Sequence, residues 1–358
     1  MLKPSVLIVN PHFQLYGGAE RQVVELANHL TDRNYKVTIF TTTAVPEFKQ
    51  SLKEARMFEC GTEQNLMTYC NVFAHKFDVI NPHNHPSELY FSYPNKPNLI
   101  WQMNEPPGYV LEGNDLNPAE RNYVSRTVKK IMVISDYDFA RCRKVYGIDP
   151  VVNYPGVRYD FFNKNVKIKN TLNMKNNFVI TQLGFFTWTK NQVFTVEIFA
   201  KIKKKIPEAK LVLMGYDAGD YIKKVNAKIE ELGLEDDVLV RGYVGGDEDF
   251  RNIYNQTDVF VNPVLDQGGY ATTFEAISAG IPTIVSDRFV ASKLICDNEL
   301  GWVSPLSKSH IIEAIMQIYN DLDKYKSLTK EKAIWIKDNL TWKNFGEKYE
   351  QVIAEVVN

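Results

Sequence analysis

Apolar strand segments alternate with amphipathic helical segments along this chain, and the pattern begins a second time near residue 178. The segment 20–30 carries Val23, Val24, Ala27 and Leu30 on one face, as a helix packed on a sheet does. Repeated strand–helix–strand units favour parallel sheets with right-handed crossovers. We predict an α/β fold with two parallel sheets, whose main strands are 6–9, 36–41, 78–80, 99–101, 131–134, 178–183, 211–214, 238–240, 259–262 and 283–286.

The boundary between the two halves is predicted in the stretch 160–177, which is rich in Lys and Asn and shows no clear period. We therefore expect an N-terminal Rossmann-like domain over 1–165 and a C-terminal Rossmann-like domain over 166–340. The amphipathic tail 341–358 should pack on the body of the protein, and we expect that it can return to the first domain. Because ligands prefer crevices beside parallel sheets and between domains, we also predict a deep interdomain cleft.

The bulk composition excludes several classes of function. The chain has 358 residues, a formal net charge of −1 and 44% hydrophobic residues, as in a soluble enzyme. A nucleic-acid partner is not expected, because such proteins usually carry a basic excess. No apolar run approaches the ~20 residues that span a bilayer, and no two of the four cysteines have the C-x-x-C spacing of a zinc site. We expect a cytoplasmic protein without a metal, and leave peripheral membrane contact open.

The most informative stretch is 266–276, which follows the predicted strand 259–262 and reads DQGGYATTFEA. Its glycines lead into a helix start, where unpaired N–H groups and the helix dipole favour an anion. A carboxylate such as Glu275 does not bind phosphate but can accept hydrogen bonds from ribose or sugar hydroxyls. Asp266 and Gln267 add further hydroxyl partners. The stretch predicts a nucleotide-sugar site; the plainer alternative is a Glu that only complements the helix dipole.

Two other loops join a predicted strand to a helix. Gly17 and Gly18 follow the first strand and could bring backbone N–H groups close to a diphosphate, or could simply end an ordinary loop. Lys190 follows strand 178–183 and could neutralise a leaving diphosphate. The alternative is a solvated lysine, which the dipole of the following helix would disfavour by ~0.3–1 kcal/mol. Neither the G-x-G-x-x-G nor the P-loop pattern occurs.

Two histidines follow the predicted strand 78–80. His83 and His85 form an H-x-H pair that could bind a metal, but no third ligand is apparent. We favour a hydrogen-bonding role for His83 at the carboxyl end of its strand. No Ser–His–Asp or Cys–His arrangement can be argued from spacing.

Taken in order, these motifs resemble those of glycosyltransferase family 4, whose members are retaining, nucleotide-sugar-dependent enzymes with the GT-B fold. The resemblance covers nearly the whole chain and implies two Rossmann-like domains that face a deep cleft. The matching segments are GGAE at 17–20, VNYPGV at 152–157, Gly184 with Lys190, Glu275-Ala276, AGIP at 279–282, and Gly301-Trp302.

The resemblance also implies roles for individual residues. Glu275 would hold the donor ribose, Lys190 would contact the diphosphate, and Gln267 would occupy the position of a glutamate that is typical of the family. Such enzymes generally need no metal ion or other cofactor, because the lysine and the helix dipole replace the cation. The implied donor-binding residues are Gly17, Gly18, Gly184, Lys190, Asp266, Gln267, Gly269, Tyr270, Ala271 and Glu275.

Three departures from the family pattern bear on activity. Gln267 replaces the first glutamate of E-x₇-E, so one negative charge is missing. Phe185 stands where the family has an arginine, so one phosphate contact is lost or is supplied by another residue such as Arg241. Asn104 stands where a histidine often follows a strand near the transferred sugar, so we place Asn104, with His83, on the sugar or acceptor side.

The expected function is transfer of a hexose from a UDP- or GDP-sugar to a hydroxyl of a glycan or lipid-linked glycan. Two alternatives stay open from the sequence. A sugar-nucleotide epimerase of similar fold would need acid and base side chains around the sugar, and no convincing set is found. A non-catalytic nucleotide-sugar or glycan-binding protein would explain the changes at Phe185, Gln267 and Asn104.

Overall fold

A computed structural model describes residues 3–13, 17–91, 98–104, 118–164, 172, 174–217, 219–242, 247–266 and 268–357. The chain divides into two compact units, Met1–Gly156 with Leu340–Asn358, and Val157–Asn339. The first boundary thus lies nine residues before the predicted one at 165/166. Part of the predicted linker 160–177, residues 165–171 and 173, lies outside the described residues.

The first unit contains a seven-stranded parallel sheet with the strand order β3-β2-β1-β4-β5-β6-β7. Its core is double-sided because successive residues of a strand point to opposite faces. In the first strand, Leu7 and Val9 join the core on one face while Val6 and Ile8 join the core on the other. The strands are β1 (Ser5–Val9), β2 (Lys36–Thr41), β3 (Arg56–Glu59), β4 (Val79–Pro82), β5 (Asn98–Met103), β6 (Val128–Val133) and β7 (Val151–Val152).

Helices cover both faces of this sheet, as parallel sheets require. Short 3₁₀ segments follow the third helix at Ala74–Lys76 and the fourth strand at Ser87–Leu89. The helices of the first half are α1 (Gly18–Asp32), α2 (Pro46–Ser51), α3 (Glu63–Phe73), α4 (Pro118–Thr127) and α5 (Asp136–Tyr146).

The second unit contains a six-stranded parallel sheet with the order β10-β9-β8-β11-β12-β13. A 3₁₀ turn at Trp188–Lys190 follows its first strand. The strands are β8 (Phe178–Leu183), β9 (Ala209–Met214), β10 (Val238–Arg241), β11 (Val259–Asn262), β12 (Thr283–Ser286) and β13 (Trp302–Ser304). The helices are α6 (Tyr159–Phe162), α7 (Gln192–Lys203), α8 (Tyr221–Glu231), α9 (Asp247–Tyr254), α10 (Tyr270–Ser278), α11 (Ser292–Asp297), α12 (Lys308–Asn320), α13 (Leu322–Lys332) and α14 (Ile334–Asn339).

The prediction of two parallel α/β sheets is confirmed, and every predicted strand overlaps an observed one. Three observed strands were not predicted, β3, β7 and β13, and all three lie at the edge of a sheet. Edge strands are short and half-solvated, so they lack the continuous apolar run of a central strand. In β3, only Met57 is even partly buried.

The C-terminal helix α15 (Trp342–Val357) packs on the first unit against α1. Its apolar face places Phe345, Tyr349, Val352 and Ile353 in the core on that side of the sheet. Gly346 lets the two helices approach closely, because a Cβ there would lie 2.2 Å from the His29 ring. The tail is therefore part of the structure of the first unit.

Polar contacts reinforce this helix pair. Glu350 Oε1 lies 2.9 Å from His29 Nε2 and accepts a 3.1 Å hydrogen bond from Arg33 Nε, and Lys3 Nζ donates to Oε2 at 3.4 Å. Burial alone would raise the pKa of Glu350, but the His29 and Arg33 contacts outweigh it and hold the pKa below its usual value.

We expect Glu350→Gln to lower the melting temperature at pH 7 by an amount equivalent to roughly 1–2 kcal/mol. A carboxyl whose pKa is depressed by folding stabilises the protein above its unfolded pKa, about 4.3. That stabilisation is lost as the pH falls through the folded pKa, so the melting temperatures of the two proteins should converge once the pH lies below that pKa. Glu347→Gln is the control, because Glu347 of the same helix faces Lys343 at 3.7 Å with both side chains exposed. Equal losses of melting temperature in Glu350→Gln and Glu347→Gln would show that the Glu350 contacts are not the source of this stabilisation.

Candidate donor site

The strand order of the second sheet reverses between β8 and β11. In open α/β sheets, ligands bind beyond the carboxyl ends of the strands at such a switch point. The loop after β8 carries Gly184, Phe185 and Lys190, and the loop after β11 carries Asp266, Gly268 and Gly269. The topology therefore brings together two loops that the sequence singled out separately.

Lys190 and Gly268 lie in direct contact although 77 residues separate them in the chain. A Cβ on Gly268 would lie 1.5 Å from Lys190 Nζ and 2.9 Å from its Cε. The ammonium group thus lies against the backbone of the glycine loop. Only a residue without a side chain allows this approach, and the positive φ of Gly268, 80°, also favours glycine.

Hydrogen bonds fix the backbone around Lys190. Leu265 N donates to Thr189 O at 2.8 Å, and Asn191 Nδ2 donates to Pro263 O at 3.1 Å, so the two loops are joined on either side of Lys190. Gln182, buried at the end of β8, donates to Lys190 O at 2.6 Å. The position of the lysine is therefore set by the sheet rather than by a solvated loop.

Helix α10 begins directly after this loop. Its N-cap is Gly269, with φ 75°, and no cap side chain accepts from the first-turn N–H groups. A Cβ on Gly269 would lie 2.5 Å from Asn262 Nδ2, so the backbone here packs tightly on the end of β11. The predicted phosphate-supporting residues Tyr270 and Ala271 form the first turn of this helix. A helix that begins directly after a glycine turn is typical of an anion site.

Glu275 lies in the second turn of α10 and is 9% exposed. The Tyr254 hydroxyl, at the end of α9, lies 3.1 Å from Glu275 Oε2 and 3.1 Å from the Thr272 carbonyl oxygen. A buried carboxylate oriented by a tyrosine is more than a first-turn Glu that complements the helix dipole. Sequence reasoning missed Tyr254, because nothing in its local pattern points to a residue 21 positions away.

The remaining predicted donor residues lie at the same edge of this sheet. Gly184, with φ 154°, lies against Gly215, where a Cβ would be 1.8 Å from Gly184 O. Phe185 is 41% exposed and forms an edge-on ring contact with Tyr216 at 5.8 Å between centroids. Asp266 is half-buried at the end of the β11 loop, whereas Gln267 lies outside the described residues.

In the first unit, the strand order reverses between β1 and β4. The loop after β1 carries Gly17 and Gly18, and α1 begins at Gly18. A Cβ on Gly17 would lie 2.3 Å from Glu20 Oε2, so the Glu20 carboxylate folds back over the glycine turn. His83 directly follows β4, and Asn104 directly follows the neighbouring β5. These four predicted residues therefore share the carboxyl edge of the first sheet.

His83 is fully buried and hydrogen-bonded through Nε2 to Asn81 Oδ1 at 2.8 Å. Burial lowers the pKa of His83 to about 3, so the ring is neutral at physiological pH. His85 instead places Nδ1 2.6 Å from Glu88 Oε1. The two histidines of the H-x-H pair thus have different partners. Within the described part of the chain, no group of three or more His, Cys, Asp or Glu could hold a metal ion.

Asn104 belongs to a buried hydrogen-bond chain that the sequence did not reveal. Gln102 Nε2 donates to Asn104 Oδ1 at 2.9 Å, and the Tyr349 hydroxyl donates to Gln102 Oε1 at 2.5 Å. The sequence pattern identified 341–358 only as an amphipathic tail. The contact of Tyr349 with Gln102 spans 247 positions in the chain.

Comparison with known proteins agrees with this architecture. Residues 163–335 match the family described as glycosyl transferases group 1. Mannosylfructose-phosphate synthase of Agrobacterium fabrum is 23% identical over 386 residues, covering 93% of this chain and 85% of that protein. Anabaena HepE, solved with UDP and glucose, has a TM-score of 0.84 at 16% identity and covers 98% of this chain and 100% of its own. Sucrose-phosphate synthase from Thermosynechococcus elongatus has a TM-score of 0.82 at 17% identity and covers 99% of each chain.

The fold is therefore the GT-B fold, and the chain is a glycosyltransferase. Within the second unit, residues 163–335 match the family of group 1 glycosyl transferases, and the Lys190 and Glu275 loops both lie within the matched residues. No helix in the described ranges is long and apolar enough to cross a membrane.

The contact between Gly268 and Lys190 leads to a direct prediction. Gly268→Ala places a Cβ on the Lys190 ammonium and also strains the backbone by about 1–2 kcal/mol. We expect donor turnover to fall at least about tenfold, as when catalytic groups are displaced by about 1 Å. Gly233→Ala is the control, because Gly233 has φ 62° but no atom within 4 Å of its added Cβ. Gly233→Ala should lose as much stability as Gly268→Ala in a melting assay but keep its activity. Equal activities of Gly268→Ala and Gly233→Ala would contradict the prediction.

Proposed function

We propose that this glycosyltransferase retains anomeric configuration and moves a hexose from a UDP- or GDP-sugar to a hydroxyl of a glycan or lipid-linked glycan. The observation that carries the proposal is the contact of Lys190 with the glycine loop that opens α10, with buried Glu275 one turn further on. An ammonium group beside a helix start suits a diphosphate. A carboxylate near it suits the hydroxyls of a ribose.

The donor assignment gains support from relatives. HepE, which has the same fold, has been solved in complex with UDP-glucose. Among the curated relatives, the enzyme from Escherichia coli named as a UDP-Gal-dependent α-1,3-galactosyltransferase acts on a diphosphoundecaprenol-linked sugar. It is 26% identical over 211 residues, which are 56% of this chain and 53% of that enzyme. These names favour a UDP-sugar donor and a lipid-linked acceptor without fixing either.

The chemistry follows from the positive charge at the switch point. The bond between the sugar C1 and the diphosphate oxygen breaks, and its electron pair passes to the diphosphate, which Lys190 and the α10 start stabilise. The acceptor oxygen bonds to C1 from the face that the diphosphate leaves, and its proton passes to the leaving phosphate oxygen. This route requires no dedicated protein base. Configuration at C1 is retained.

Residues of the first unit complete the assignment. We assign Gly17 and Gly18 to the donor diphosphate, and His83 and Asn104 to the sugar or acceptor side. In the second unit, Phe185 cannot supply the positive charge of the family's arginine. Lys190 therefore carries more of the phosphate contact here than in enzymes that have both groups.

We further propose that the reaction needs no metal ion, because Lys190 and the α10 dipole supply the charge that a cation supplies elsewhere. Nucleoside diphosphate release from UDP-, GDP- and ADP-sugars should be measured with and without EDTA, using a set of simple glycosides as acceptors. We expect release from one nucleotide class and no loss on chelation. Proton NMR of the first-formed product should show the anomeric configuration of the donor. An inverted product, or release that EDTA abolishes, would contradict the proposal.

A further inference from the structure

We propose that Tyr349, in the C-terminal helix α15, is a positioning residue that directs the amide N–H groups of Asn104 and the Nδ1 lone pair of His83 toward a hydroxyl of the bound sugar. This inference rests on the proposed function, because it needs His83 and Asn104 to face a sugar. Tyr349 itself touches no substrate. Its contact gives each of the two groups that do, in Asn104 and His83, a fixed role as hydrogen-bond donor or acceptor.

The four polar side chains of the network share one face of the first sheet. His83 pairs with Gln102 on the neighbouring parallel strand, so their side chains point the same way. Asn81 precedes His83 by two residues and Asn104 follows Gln102 by two, which keeps them on that face. All four are at least 95% buried. Buried amides are hydrogen-bonded to one another, to ordered water or to a ligand.

The network has a direction. His83 Nε2 lies 2.8 Å from Asn81 Oδ1, an atom that can only accept, so the proton of the neutral ring is on Nε2. Asn81 Nδ2 donates to the Ile100 carbonyl at 2.6 Å, which leaves Oδ1 as the Asn81 atom that faces His83. Tyr349 then donates to Gln102 Oε1 at 2.5 Å, which leaves Gln102 Nε2 to donate to Asn104 Oδ1 at 2.9 Å.

Two atoms at the ends of this network have no hydrogen-bond partner in the described residues, His83 Nδ1 and Asn104 Nδ2. The first can only accept and the second can only donate, given the direction of the chain. An unsatisfied buried polar atom costs about 1–3 kcal/mol. A hydroxyl group both donates and accepts, so a sugar hydroxyl that reaches both atoms can satisfy both.

Tyr349 sets this polarity because its hydroxyl is the donor that holds Gln102 Oε1 in place. Without that donor, the Gln102 amide can turn and present Oε1 to Asn104. Asn104 must then turn as well, so that Oδ1 replaces Nδ2 as its outward atom. The pair at the ends of the network would become two acceptors, and a single hydroxyl could no longer satisfy both.

The test compares binding of a nucleotide sugar with binding of the nucleoside diphosphate alone, by calorimetry. Two ligand pairs are used, UDP-glucose with UDP and GDP-mannose with GDP. The affinity ratio is the affinity for the nucleotide sugar divided by the affinity for its nucleoside diphosphate, taken for the pair that the protein binds. We expect Tyr349→Phe to lower this ratio about tenfold, as loss of one buried hydrogen bond does. Affinity for the nucleoside diphosphate alone should stay unchanged. Asn104→Ala should lower the ratio similarly, and the double variant should show no further loss, because the two residues act through one contact.

Tyr35→Phe is the matched control. Tyr35 packs in the same core as Tyr349, but its hydroxyl bonds to Lys3 and not to the network. Its affinity ratio should equal that of the wild type, and melting curves of all variants check that the fold is intact. A wild-type ratio in Tyr349→Phe, or effects of Tyr349→Phe and Asn104→Ala that add, would overturn the inference alone. A wild-type protein that binds neither ligand pair would overturn the proposed function and this inference with it.

Discussion

Replacing Lys190 by alanine is expected to lower the kcat of donor turnover by about 10²–10³-fold, the range seen when one group that stabilises developing charge is removed. Lys190 Nζ lies against Gly268 at the start of α10, where the proposed leaving diphosphate gains negative charge. The loop 184–191 carries no second basic side chain that could compensate. Because the interaction strengthens as the bond breaks, the effect should appear in kcat as well as in kcat/KM.

The measurement is the initial rate of nucleoside diphosphate release at saturating and limiting donor. Lys201→Ala serves as the control, because Lys201 is exposed on α7 of the same unit. Lys190→Arg tests geometry separately from charge, since the guanidinium is wider than the ammonium and Gly268 leaves little room. A Lys190→Ala enzyme with the rate of the wild type would show that the diphosphate is bound elsewhere.

Replacing Glu275 by alanine is expected to lower kcat/KM for the donor by about 10–100-fold, the worth of one or two hydrogen bonds to a buried charged group. The loss should lie mainly in KM, because the ribose contact exists before and during the reaction alike. Tyr254→Phe should have a smaller effect in the same direction, since it removes only the 3.1 Å hydrogen bond that orients the carboxylate.

A donor analogue isolates the proposed contact. If Glu275 accepts from the ribose hydroxyls, the wild-type enzyme should discriminate against a 2′,3′-dideoxy donor and Glu275→Ala should not. Glu313→Gln, an exposed carboxylate on α12, is the control. Discrimination that persists unchanged in Glu275→Ala would assign the ribose to another residue.

Local sequence pattern was sufficient for the fold and for most of the residues at the candidate site. Continuous apolar runs marked the central strands, and glycine loops before helices marked both switch points. The edge strands β3, β7 and β13 were not predicted, because they lack the long continuous apolar run of a central strand. The resemblance to a known family added roles for Lys190 and Glu275 that spacing alone could not assign.

Contacts between distant parts of the chain could not be predicted. The approach of Lys190 to Gly268 depends on the strand order of the second sheet, and the hydrogen bond from Tyr349 to Gln102 depends on the docking of α15. Tyr254 reaches Glu275 for the same reason. Each of these residues looks ordinary in its local sequence, because what distinguishes it is its neighbour in space.

A crystal structure of the full chain with the nucleoside diphosphate that binds best tests the central claim most directly. We predict diphosphate oxygens within hydrogen-bond distance of Lys190 Nζ and of the backbone N–H groups at the start of α10, with a ribose hydroxyl on Glu275. A nucleotide bound away from the β8 and β11 loops, with Lys190 and Glu275 untouched, would contradict the account.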